Sequence, residues 1–397
     1  MQEVVDRLTA NDPAADVART LLLPYLNHAA TMYESGYATS ADIDASMRFG
    51  CGYPIGPLAL VDAIGAGTVV SGLEKLYAET GDELHQPAAV LTTQAAEGTT
   101  FASAAGAEGV AAPQLRHEIR RVGVVGTGTM ASGIVEVFAK AGYDVTFVGR
   151  GDDKVAGVVA AITKSLDKAV ARGKLDEQGR ADVLGRLTGA TEREALADAD
   201  IVVEAIAEDL DVKLALFSDL DRIAKPGAIL ATTTSSLSIN ACAAATSRPQ
   251  DVIGMHFFNP AAIMRLVEVV TADDTSVEVD ETVRALCLAT GKHPVSCGDR
   301  AGFIVNALLF PYLNDAVRLL ESGDVSLDEI DEALKATGLP MGPFQLLDVV
   351  GNDVSLAIQQ SLVGTFGHAG WQPAPTLERL VAEGRLGRKT GEGFHTY

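Results

Sequence analysis

A glycine-rich turn that begins at Gly126 is the first part of the sequence whose spacing suits a chemical task. It directly follows Arg121–Val125, an apolar run typical of a buried strand, and it opens an amphipathic segment typical of a helix. Gly126 permits a tight turn, Gly128 lets the backbone approach a pyrophosphate, and the small Ala131 lets helix and strand pack closely. The pattern predicts a dinucleotide site at a helix N-terminus, with a purely structural turn as the alternative. The residues predicted to contact the dinucleotide here are Gly126, Gly128, Met130 and Gly133.

The end of the second predicted strand, Asp144–Val148, bears on the type of dinucleotide. An acidic residue there would bind the ribose 2′-hydroxyl of NAD, whereas this chain has Gly149 followed by Arg150. The missing carboxylate removes the repulsion of a 2′-phosphate, and a guanidinium can pair with that phosphate. The sequence therefore predicts an NAD(P) cofactor and slightly favours NADP(H). In the alternative, Arg150 is a solvated surface residue and NAD(H) binds.

Strands and helices must position this turn, and the sequence predicts them in alternation. Further strand candidates lie at residues 201–205, 228–231 and 252–255, separated by helix-like segments. This alternation predicts an α/β domain with a parallel sheet.

A helical module of about ninety residues occurs at both ends of the chain. Residues 21–27 (LLLPYLN) match residues 308–314 (LLFPYLN), and shared Gly, Pro and Asp positions follow in both copies. Residues 88–117 are rich in Ala, Gly and Thr, which is typical of a linker, although part of this segment could form an Ala-rich helix. The predicted regions are a helical module over 1–90, a linker over 91–118, an α/β domain over 119–300 and a helical domain over 301–397.

The composition limits the classes of partner. The 397 residues include 31 Lys and Arg against 53 Asp and Glu, a formal net charge of -22. We therefore expect no nucleic-acid or anionic-membrane partner. The four cysteines lack metal-ligand spacing, so we expect reduced thiols, no metal site and a cytoplasmic protein. No signal-peptide pattern and no apolar run of about 18 residues is visible, so no membrane span is expected.

From about Arg121 to Tyr397 the chain resembles the short-chain L-3-hydroxyacyl-CoA dehydrogenases, including 3-hydroxybutyryl-CoA dehydrogenases. The motifs that carry the resemblance are, in order, VVEAIAEDLDVK, TTSSLSI, GMHFFNPAAIMRLVEVV, GKHPVSCGDRAGFIVNALLFPYLN, GLPMGPFQLLDVVG and GRKTGEGF. The resemblance implies a Rossmann-like domain followed by a helical domain that usually makes a dimer, with the active site in the cleft between them. The expected fold class is α/β plus all-α, in which the Rossmann-like dinucleotide-binding domain is flanked by two helical modules of the family's C-terminal type.

The resemblance also implies roles for single residues. His256 falls at the position of the catalytic base, and Glu268 falls at that of its partner carboxylate. Ser235 matches a residue that contacts substrate and nicotinamide, and Asn306 matches one that contacts the reacting acyl portion. The residues that match cofactor-contacting positions are Glu208, Lys213, Asn259 and Lys389. The residues that match positions contacting coenzyme A are Ser165 and Arg172.

These residue types suit the oxidation of a secondary alcohol, in which a base removes the hydroxyl proton as hydride leaves carbon. The expected activity is the interconversion of a (3S)-3-hydroxyacyl-CoA, of the 3-hydroxybutyryl type, and the 3-oxoacyl-CoA. One alternative is a 3-hydroxyacid or sugar-acid dehydrogenase acting on a free carboxylate, against which Ser165 and Arg172 weigh. Another is a catalytically silent nucleotide- or CoA-binding protein, against which the matched catalytic residues weigh.

The N-terminal module differs from the C-terminal one in ways that predict a non-catalytic duplicate. Arg19 stands at the position equivalent to Asn306, and no counterpart of GRKTGEGF follows residue 90. The module could pack on residues 301–397 of its own chain and replace a partner subunit, which would make an intramolecular pseudo-dimer. Alternatively, it could be an independent appendage that leaves the usual homodimer intact.

Overall fold

In the computed structural model of the chain, the described residues are 2–104 and 112–397. The chain divides into two compact units. One unit is helical and combines Met1–Gly109 with Ala301–Tyr397, and the other is an α/β unit that spans Val110–Arg300. The expected fold class, a Rossmann-like domain with helical modules on both sides in sequence, is confirmed.

The N-terminal module contains one long central helix and several shorter ones. The long helix begins after Asp12, whose carboxylate accepts a hydrogen bond from the Ala15 N–H at 3.0 Å. Pro13 suits its first turn, because an N–H there would have no partner within the helix. The helices are α1 (Gln2–Thr9), α2 (Pro13–Glu34), α3 (Ser40–Gly50), α4 (Pro57–Ile64), α5 (Ala66–Thr80), α6 (Ala89–Glu97) and α7 (Phe101–Ala104).

Within the described residues, no helix taken alone is long and apolar enough to span a membrane. Only α4 and α5 together have enough apolar length, and they meet at a bend of 100°.

The linker prediction for residues 91–118 is wrong in its first part, because α6 and α7 occupy that stretch. Leu91 and Phe101 are buried and anchor the two helices in the module. The carboxylate of Asp62 accepts hydrogen bonds from the N–H groups of Phe101 and Ala102, both at 2.9 Å. The alternative of an Ala-rich helix in part of the segment is the one the structure shows, since alanine favours a helix and the burial of Leu91 and Phe101 stabilises it in the module. Residues 105–111 lie outside the described part of the chain, and residues 112–118 form no helix or strand.

The α/β unit is built on one eight-stranded sheet. Its strands are β1 (Arg121–Val125), β2 (Asp144–Val148), β3 (Leu187–Ala190), β4 (Ile201–Glu204), β5 (Ile229–Thr232), β6 (Val252–Phe257), β7 (Leu266–Thr271) and β8 (His293–Gly298). Its helices are α8 (Thr129–Lys140), α9 (Asp152–Ala171), α10 (Glu177–Gly185), α11 (Leu210–Ile223), α12 (Ile239–Ala244) and α13 (Val277–Ala289). The strand order is β3-β2-β1-β4-β5-β6-β7-β8.

Strand direction changes once across this sheet. The strands β1 to β6 are parallel, β7 pairs antiparallel with β6, and β8 pairs parallel with β7. Every residue of β4 and β5 is buried, as expected for parallel strands covered on both faces. All five strands predicted from the sequence are confirmed to within two residues, whereas β3, β7 and β8 were not predicted.

The C-terminal module repeats the hydrogen bonds of the N-terminal one. In the first copy, Asn27 donates to the Gln86 carbonyl at 2.8 Å, and its side-chain oxygen accepts from the Ala88 N–H at 2.8 Å. In the second copy, Asn314 makes the same two bonds, to Gln372 and from Ala374, both at 2.9 Å. The helices of this module are α14 (Val305–Ser322), α15 (Leu327–Lys335), α16 (Pro343–Val350), α17 (Asn352–Phe366) and α18 (Pro375–Ala382).

A second repeated contact extends the first copy beyond its predicted end at residue 90. Asp348, which is equivalent to Asp62, accepts hydrogen bonds from the N–H groups of Phe394 at 2.9 Å and His395 at 2.8 Å. Phe101 therefore stands where the second copy has the phenylalanine of GRKTGEGF. The motif GRKTGEGF is absent from the first copy as expected, but Phe101 and its backbone bond to Asp62 are a structural counterpart of the end of that motif.

Reciprocal contacts show that the two modules pack about a pseudo-twofold axis. A Cβ placed on Gly52 would lie 3.9 Å from Cγ of Pro340. The equivalent pair is Gly338 and Pro54, and the corresponding distance is 3.6 Å. When residue i of one copy contacts residue j of the other and j also contacts i, the interface is isologous, as in a symmetric dimer.

The long helices of the two copies lie at the centre of this interface, where α2 packs on α14 and α15. Tyr25 and Tyr312 are equivalent residues, and their ring centroids are 5.9 Å apart. The His28 ring packs on Trp371, with centroids 4.9 Å apart. The N-terminal module therefore packs on the C-terminal module of its own chain, as the first of the two hypotheses predicts.

Deleting residues 1–110 is expected to uncover the apolar face of α14 and α15 and so to promote self-association. Light scattering on the full-length and truncated proteins measures this, and the truncated protein should dimerise more strongly or aggregate. Identical oligomeric states with undiminished solubility would contradict a packing role for the module.

Candidate active site

Four of the predicted site segments meet at one edge of the sheet. Because β1, β4, β5 and β6 run parallel, their carboxyl ends share this edge. The turn after β1 holds Gly126, the loop after β4 holds Glu208, the loop after β5 holds Ser235, and His256 lies near the end of β6. Ligands of open parallel sheets bind outside this edge. The edge is therefore the candidate active site of the α/β unit.

The glycine-rich turn has the shape that a pyrophosphate requires. Gly126 has φ 135°, and a Cβ there would lie 2.3 Å from the Ala205 carbonyl oxygen, so only glycine fits. Gly128 is the residue before α8, and no side chain caps this end of the helix. A Cβ placed on Gly128 would meet no protein atom within 4 Å. The first N–H groups of α8 are thus open to phosphate oxygens. The adjoining cleft has a volume of about 870 Å³ and is also lined by Met130.

Gly133 has a packing role instead of a place in this cleft. A Cβ on Gly133 would lie 3.1 Å from the Cβ of Ala261, so the glycine lets α8 approach the loop after β6 closely. Gly133 lines a second cleft, of about 540 Å³, which shares Thr127, Gly128 and Thr129 with the first. The contact of Gly133 with the cofactor stays a prediction, and the structure adds a packing role for this glycine.

The second cleft contains one of the two residues matched to coenzyme A contacts. Ser165 lines it and donates a hydrogen bond to Oε1 of the buried Glu136 at 2.9 Å. Glu136 also forms an ion pair with Lys140. Arg172 is exposed at the C-terminal end of α9, about two helical turns beyond Ser165. Both residues therefore lie along α9.

The His256–Glu268 pair is created by the antiparallel pairing of β6 and β7. The two residues are directly opposite in register, and Nδ1 of His256 lies 2.6 Å from Oε2 of Glu268. His256 is 7% exposed and Glu268 is fully buried. Since a carboxylate can only accept, Nδ1 donates the proton of this bond, which leaves the lone pair of the neutral ring on Nε2. The ring of Phe258 packs beside the imidazole, with centroids 4.6 Å apart.

Glu208 fixes the loop that carries Ser235. Its Oε1 accepts hydrogen bonds from the Thr234 hydroxyl at 2.6 Å and from the Ser235 N–H at 2.8 Å. The Ser235 hydroxyl also lies 3.3 Å from the same oxygen. Burial alone would raise the pKa of Glu208, but the Thr234 hydrogen bond and the charge of Lys213 lower it below its ordinary value. Glu208 is therefore an anion that orders the Ser235 loop.

Lys213 lies under the loops and not in the cleft. Its side chain is 1% exposed, and its Nζ lies 2.7 Å from Oε1 of Glu204 and 3.4 Å from Oε2 of Glu208. Glu204 is fully buried and also accepts from the Thr232 hydroxyl at 2.6 Å and the Ile206 N–H at 2.7 Å. The expectation that Lys213 contacts the cofactor directly does not fit this burial, since its ammonium group is already held by two carboxylates. Lys213 instead holds Glu208 in place.

Asn259 is exposed just beyond the end of β6, at the start of the loop that joins β6 to β7. This loop is held from beneath by Lys292, whose Nζ donates to the carbonyl oxygens of Ala261 at 2.5 Å and Met264 at 2.8 Å. Burial lowers the pKa of Lys292. The loop thus keeps its shape through a buried cation.

The helical unit contains the two remaining predicted site residues. Asn306 is in the first turn of α14 and is 8% exposed. Lys389 forms an ion pair with Asp353, with Nζ 2.7 Å from Oδ2, at the N-terminus of α17. The structure therefore places Asn306 and Lys389 in one unit and the other predicted site residues in the other unit.

The cleft beside the end of β2 is basic. Arg150 and Lys154 line it, and among the described residues the side chains of both make no hydrogen bond or ion pair. Arg193 also lines the cleft, but it is paired with Asp219. Within the described part of the chain, no cluster of His, Cys, Asp and Glu side chains could hold a metal ion.

Comparison with known proteins assigns the chain to a family. The family model of the 3-hydroxyacyl-CoA dehydrogenase NAD-binding domain matches residues 121–300, and the model of the C-terminal domain matches residues 17–110 and 302–397. The chain belongs to the 3-hydroxyacyl-CoA dehydrogenase family. The resemblance noted from the sequence motifs is therefore confirmed, and the C-terminal model matches in both helical modules.

Relatives within the 3-hydroxyacyl-CoA dehydrogenase family each cover the same share of the chain. A 3-hydroxybutyryl-CoA dehydrogenase of Mycobacterium tuberculosis is 44% identical over 285 residues, which cover 70% of this chain and 99% of that protein. The human mitochondrial hydroxyacyl-coenzyme A dehydrogenase is 42% identical over 297 residues, covering 70% of this chain and 91% of that protein. A solved structure of (S)-3-hydroxybutyryl-CoA dehydrogenase from Ralstonia eutropha has 40% identity and a TM-score of 0.70, covering 70% of this chain and 99% of that one.

Sequence reasoning missed the buried residues that hold the site of this family member together. These are Glu204, Thr232, Glu136 and Lys292. The signal that could have found the first of them is a charged residue at the end of an otherwise apolar strand, as in IVVE, since such a residue needs a buried partner.

Replacing Lys213 by Met is expected to lower the free energy of unfolding by about 3–5 kcal/mol, because it leaves the buried Glu204 carboxylate without its counter-charge. Denaturant unfolding followed by circular dichroism measures this. The matched control is Arg222→Met on the same helix, α11. Its exposed ion pair with Glu194, at 3.9 Å, should contribute less than about 1 kcal/mol. Equal losses in the two variants would show that the buried ion pair has no special role.

Proposed function

We propose that the protein is a dehydrogenase that interconverts (3S)-3-hydroxyacyl-CoA and 3-oxoacyl-CoA with a nicotinamide cofactor. The observation that carries this proposal is the buried His256–Glu268 pair at the same sheet edge as the glycine-rich turn. A short substrate of the 3-hydroxybutyryl type agrees with the names of the bacterial relatives at 44% and 42% identity.

The residues around the start of α8 are suited to binding the pyrophosphate of a nicotinamide dinucleotide. The open N–H groups of α8 and the space in front of Gly128 would hold the pyrophosphate. When bound, the nicotinamide supplies the carbon that accepts or donates the hydride. Glu208 orders the Ser235 loop at the same edge, so the Ser235 hydroxyl is held in place before any ligand binds.

His256 would act as the proton acceptor in the oxidation of the 3-hydroxyl group and as the proton donor in the reverse direction. The proton is taken up at Nε2, since Nδ1 already donates its proton to Glu268. The ring then becomes positively charged, and the buried Glu268 carboxylate stabilises that charge at a distance of 2.6 Å. Glu268 also prevents the ring from turning, because it fixes one nitrogen.

The thioester substrate is favoured over a free acid by the polar residues along α9. Ser165 and Arg172 match coenzyme A contacts, and Ser165 lines a cleft directly beside the glycine-rich turn. With a net charge of -22, the chain must bind polyanionic ligands through local cations and backbone N–H groups. The exposed Arg172 is one such cation.

NADP(H) is the cofactor that the charges around the β2 end favour. Arg150 and Lys154 offer two cations that no carboxylate of the described residues pairs with, and position 149 has no side chain. A 2′-phosphate would gain charge-assisted hydrogen bonds there. A ribose 2′-hydroxyl would lack the carboxylate acceptor that NAD-binding sites provide.

Replacing His256 by Gln is expected to lower kcat at least 100-fold, because general acid–base catalysis contributes about 10²–10⁴-fold. The affinity for the cofactor should stay nearly unchanged, since the imidazole acts in the chemical step. Spectrophotometric oxidation of NADPH and of NADH by acetoacetyl-CoA measures turnover. Glu268→Gln should lower kcat less than His256→Gln does.

The matched control is His117→Gln, which changes a histidine outside the candidate site in the same unit. It should leave turnover unchanged. Free acetoacetate replaces acetoacetyl-CoA in a parallel assay, and faster turnover of the free acid would overturn the thioester assignment. If the wild-type protein reduces neither compound, the proposed activity is wrong.

Replacing Arg150 by Gln is expected to weaken the preference for NADPH by about tenfold in kcat/KM, because one charge-assisted hydrogen bond is worth about 1.5–3 kcal/mol. The values for NADH should change little. An Arg172→Gln variant is the control for general loss of positive charge and should alter both cofactors equally. An unaltered ratio of NADPH to NADH in Arg150→Gln would show that the guanidinium does not reach the 2′ position.

A further inference from the structure

A close contact between Thr127 and position 149 determines what the β2 end of the larger cleft can contain. Gly149 is held by its neighbours, since its N–H donates to the Ala190 carbonyl at 3.0 Å, and the Gly126 N–H donates to the Val148 carbonyl at 3.0 Å. A Cβ placed on Gly149 would lie 2.5 Å from Cγ2 of Thr127. This is shorter than real Cβ contacts, which essentially never fall below 3.0 Å.

The added Cβ could not move away from Thr127 without meeting a second group. Val155, at the start of α9, has its Cγ2 3.2 Å and its backbone nitrogen 3.6 Å from the same position. Thr127 lies between Gly126 and Gly128 and is β-branched, and the branching at Cβ leaves its side chain few alternative rotamers. The methyl group of Thr127 therefore occupies the space that any side chain at position 149 requires.

This packing has a consequence for the charge of the cleft. An acidic residue at the end of β2 is the usual acceptor for the ribose 2′-hydroxyl of NAD. Thr127 excludes such a residue sterically, while Arg150 and Lys154 line the same cleft. Asp153 is the carboxylate in the lining, and it lies on α9 and not at the strand end.

We propose that Thr127 is a specificity-determining residue that acts together with Gly149. Its methyl group keeps position 149 without a side chain, so cofactor preference is set by this pair and not by Arg150 alone. The proposal rests on the proposed function, because it presupposes that a nicotinamide cofactor binds in this cleft.

A double-mutant cycle with cofactor binding as its readout tests the proposal. The dissociation constants of NADH and NADPH are measured from the fluorescence of the bound cofactor, without acyl-CoA, for wild type, Gly149→Asp, Thr127→Ser and the combination. Gly149→Asp alone should not tighten NADH binding. Combined with Thr127→Ser, which removes Cγ2 and keeps the hydroxyl, it should bind NADH about tenfold more tightly than Gly149→Asp alone, as one added hydrogen bond to a carboxylate allows.

The control combines Gly149→Asp with Thr127→Val, which keeps Cγ2 and removes the hydroxyl. It should show no such gain. Equal tightening of NADH by Gly149→Asp in the wild-type and Thr127→Ser backgrounds would overturn the proposal, and so would an equal gain with Thr127→Val.

Gly149→Ala tests the steric contact independently of the cofactor. It should lower the thermal midpoint in the wild-type background and lower it less in the Thr127→Ser background. Equal losses in both backgrounds would overturn the steric argument. If the wild-type protein binds neither NADH nor NADPH, the proposed function fails. If it binds them and the effects of the substitutions at positions 127 and 149 on the dissociation constants are additive, only the role of Thr127 is refuted.

Discussion

The antiparallel pairing of β6 with β7 is the constraint that places His256 beside Glu268, and the outer part of the α/β unit is arranged around it. A connection as short as residues 258–265 joins antiparallel neighbours, because a parallel pair needs a crossover of a dozen or more residues. The sheet must therefore reverse at β7 to place the carboxylate opposite the imidazole. The loop between the strands is then held by Lys292, and β8 covers the outer side of β7. The positions of His256 and Glu268 and the outer edge of the sheet thus follow from one strand pairing.

Buried charged groups are also paired at the ends of the neighbouring strands β4 and β5. Glu204 ends a strand that is otherwise apolar, and desolvating its carboxylate would be unfavourable without Lys213 and the bonds from Thr232 and Ile206. Through Lys213 this cluster reaches Glu208, which orders the Ser235 loop. The Ser235 loop therefore rests on a buried cluster of ion pairs, which gives it a rigid support.

Local patterns in the sequence predict much of this structure, and long-range contacts explain most of what they miss. The parallel strands and the turn at Gly126 follow from apolar periodicity and glycine spacing, which are local signals. The direction of β7 depends on pairing with β6, and the helical state of residues 89–97 depends on burial of Leu91 in the module. The burial of Lys213 depends on Glu204, nine residues away and on another element. The contact of Thr127 with position 149 joins two strand ends that only the folded sheet brings together.

Comparison of the two helical modules separates the polar residues that both copies share from those that differ between them. Both copies keep the asparagine at the centre of the long helix and the aspartates that hold neighbouring N–H groups, and these residues maintain the helical fold. At the position of Asn306 the first copy has Arg19, whose guanidinium donates to the carbonyl oxygens of Leu8 at 2.8 Å and Ala10 at 2.7 Å. Arg19 therefore caps the end of α1. In the chain, α1 precedes the long helix of the first copy, whereas the α/β unit precedes the long helix of the second. Arg19 thus holds the N-terminal helix of its own copy instead of repeating the role of Asn306, whereas the pseudo-twofold packing is a feature that both copies share.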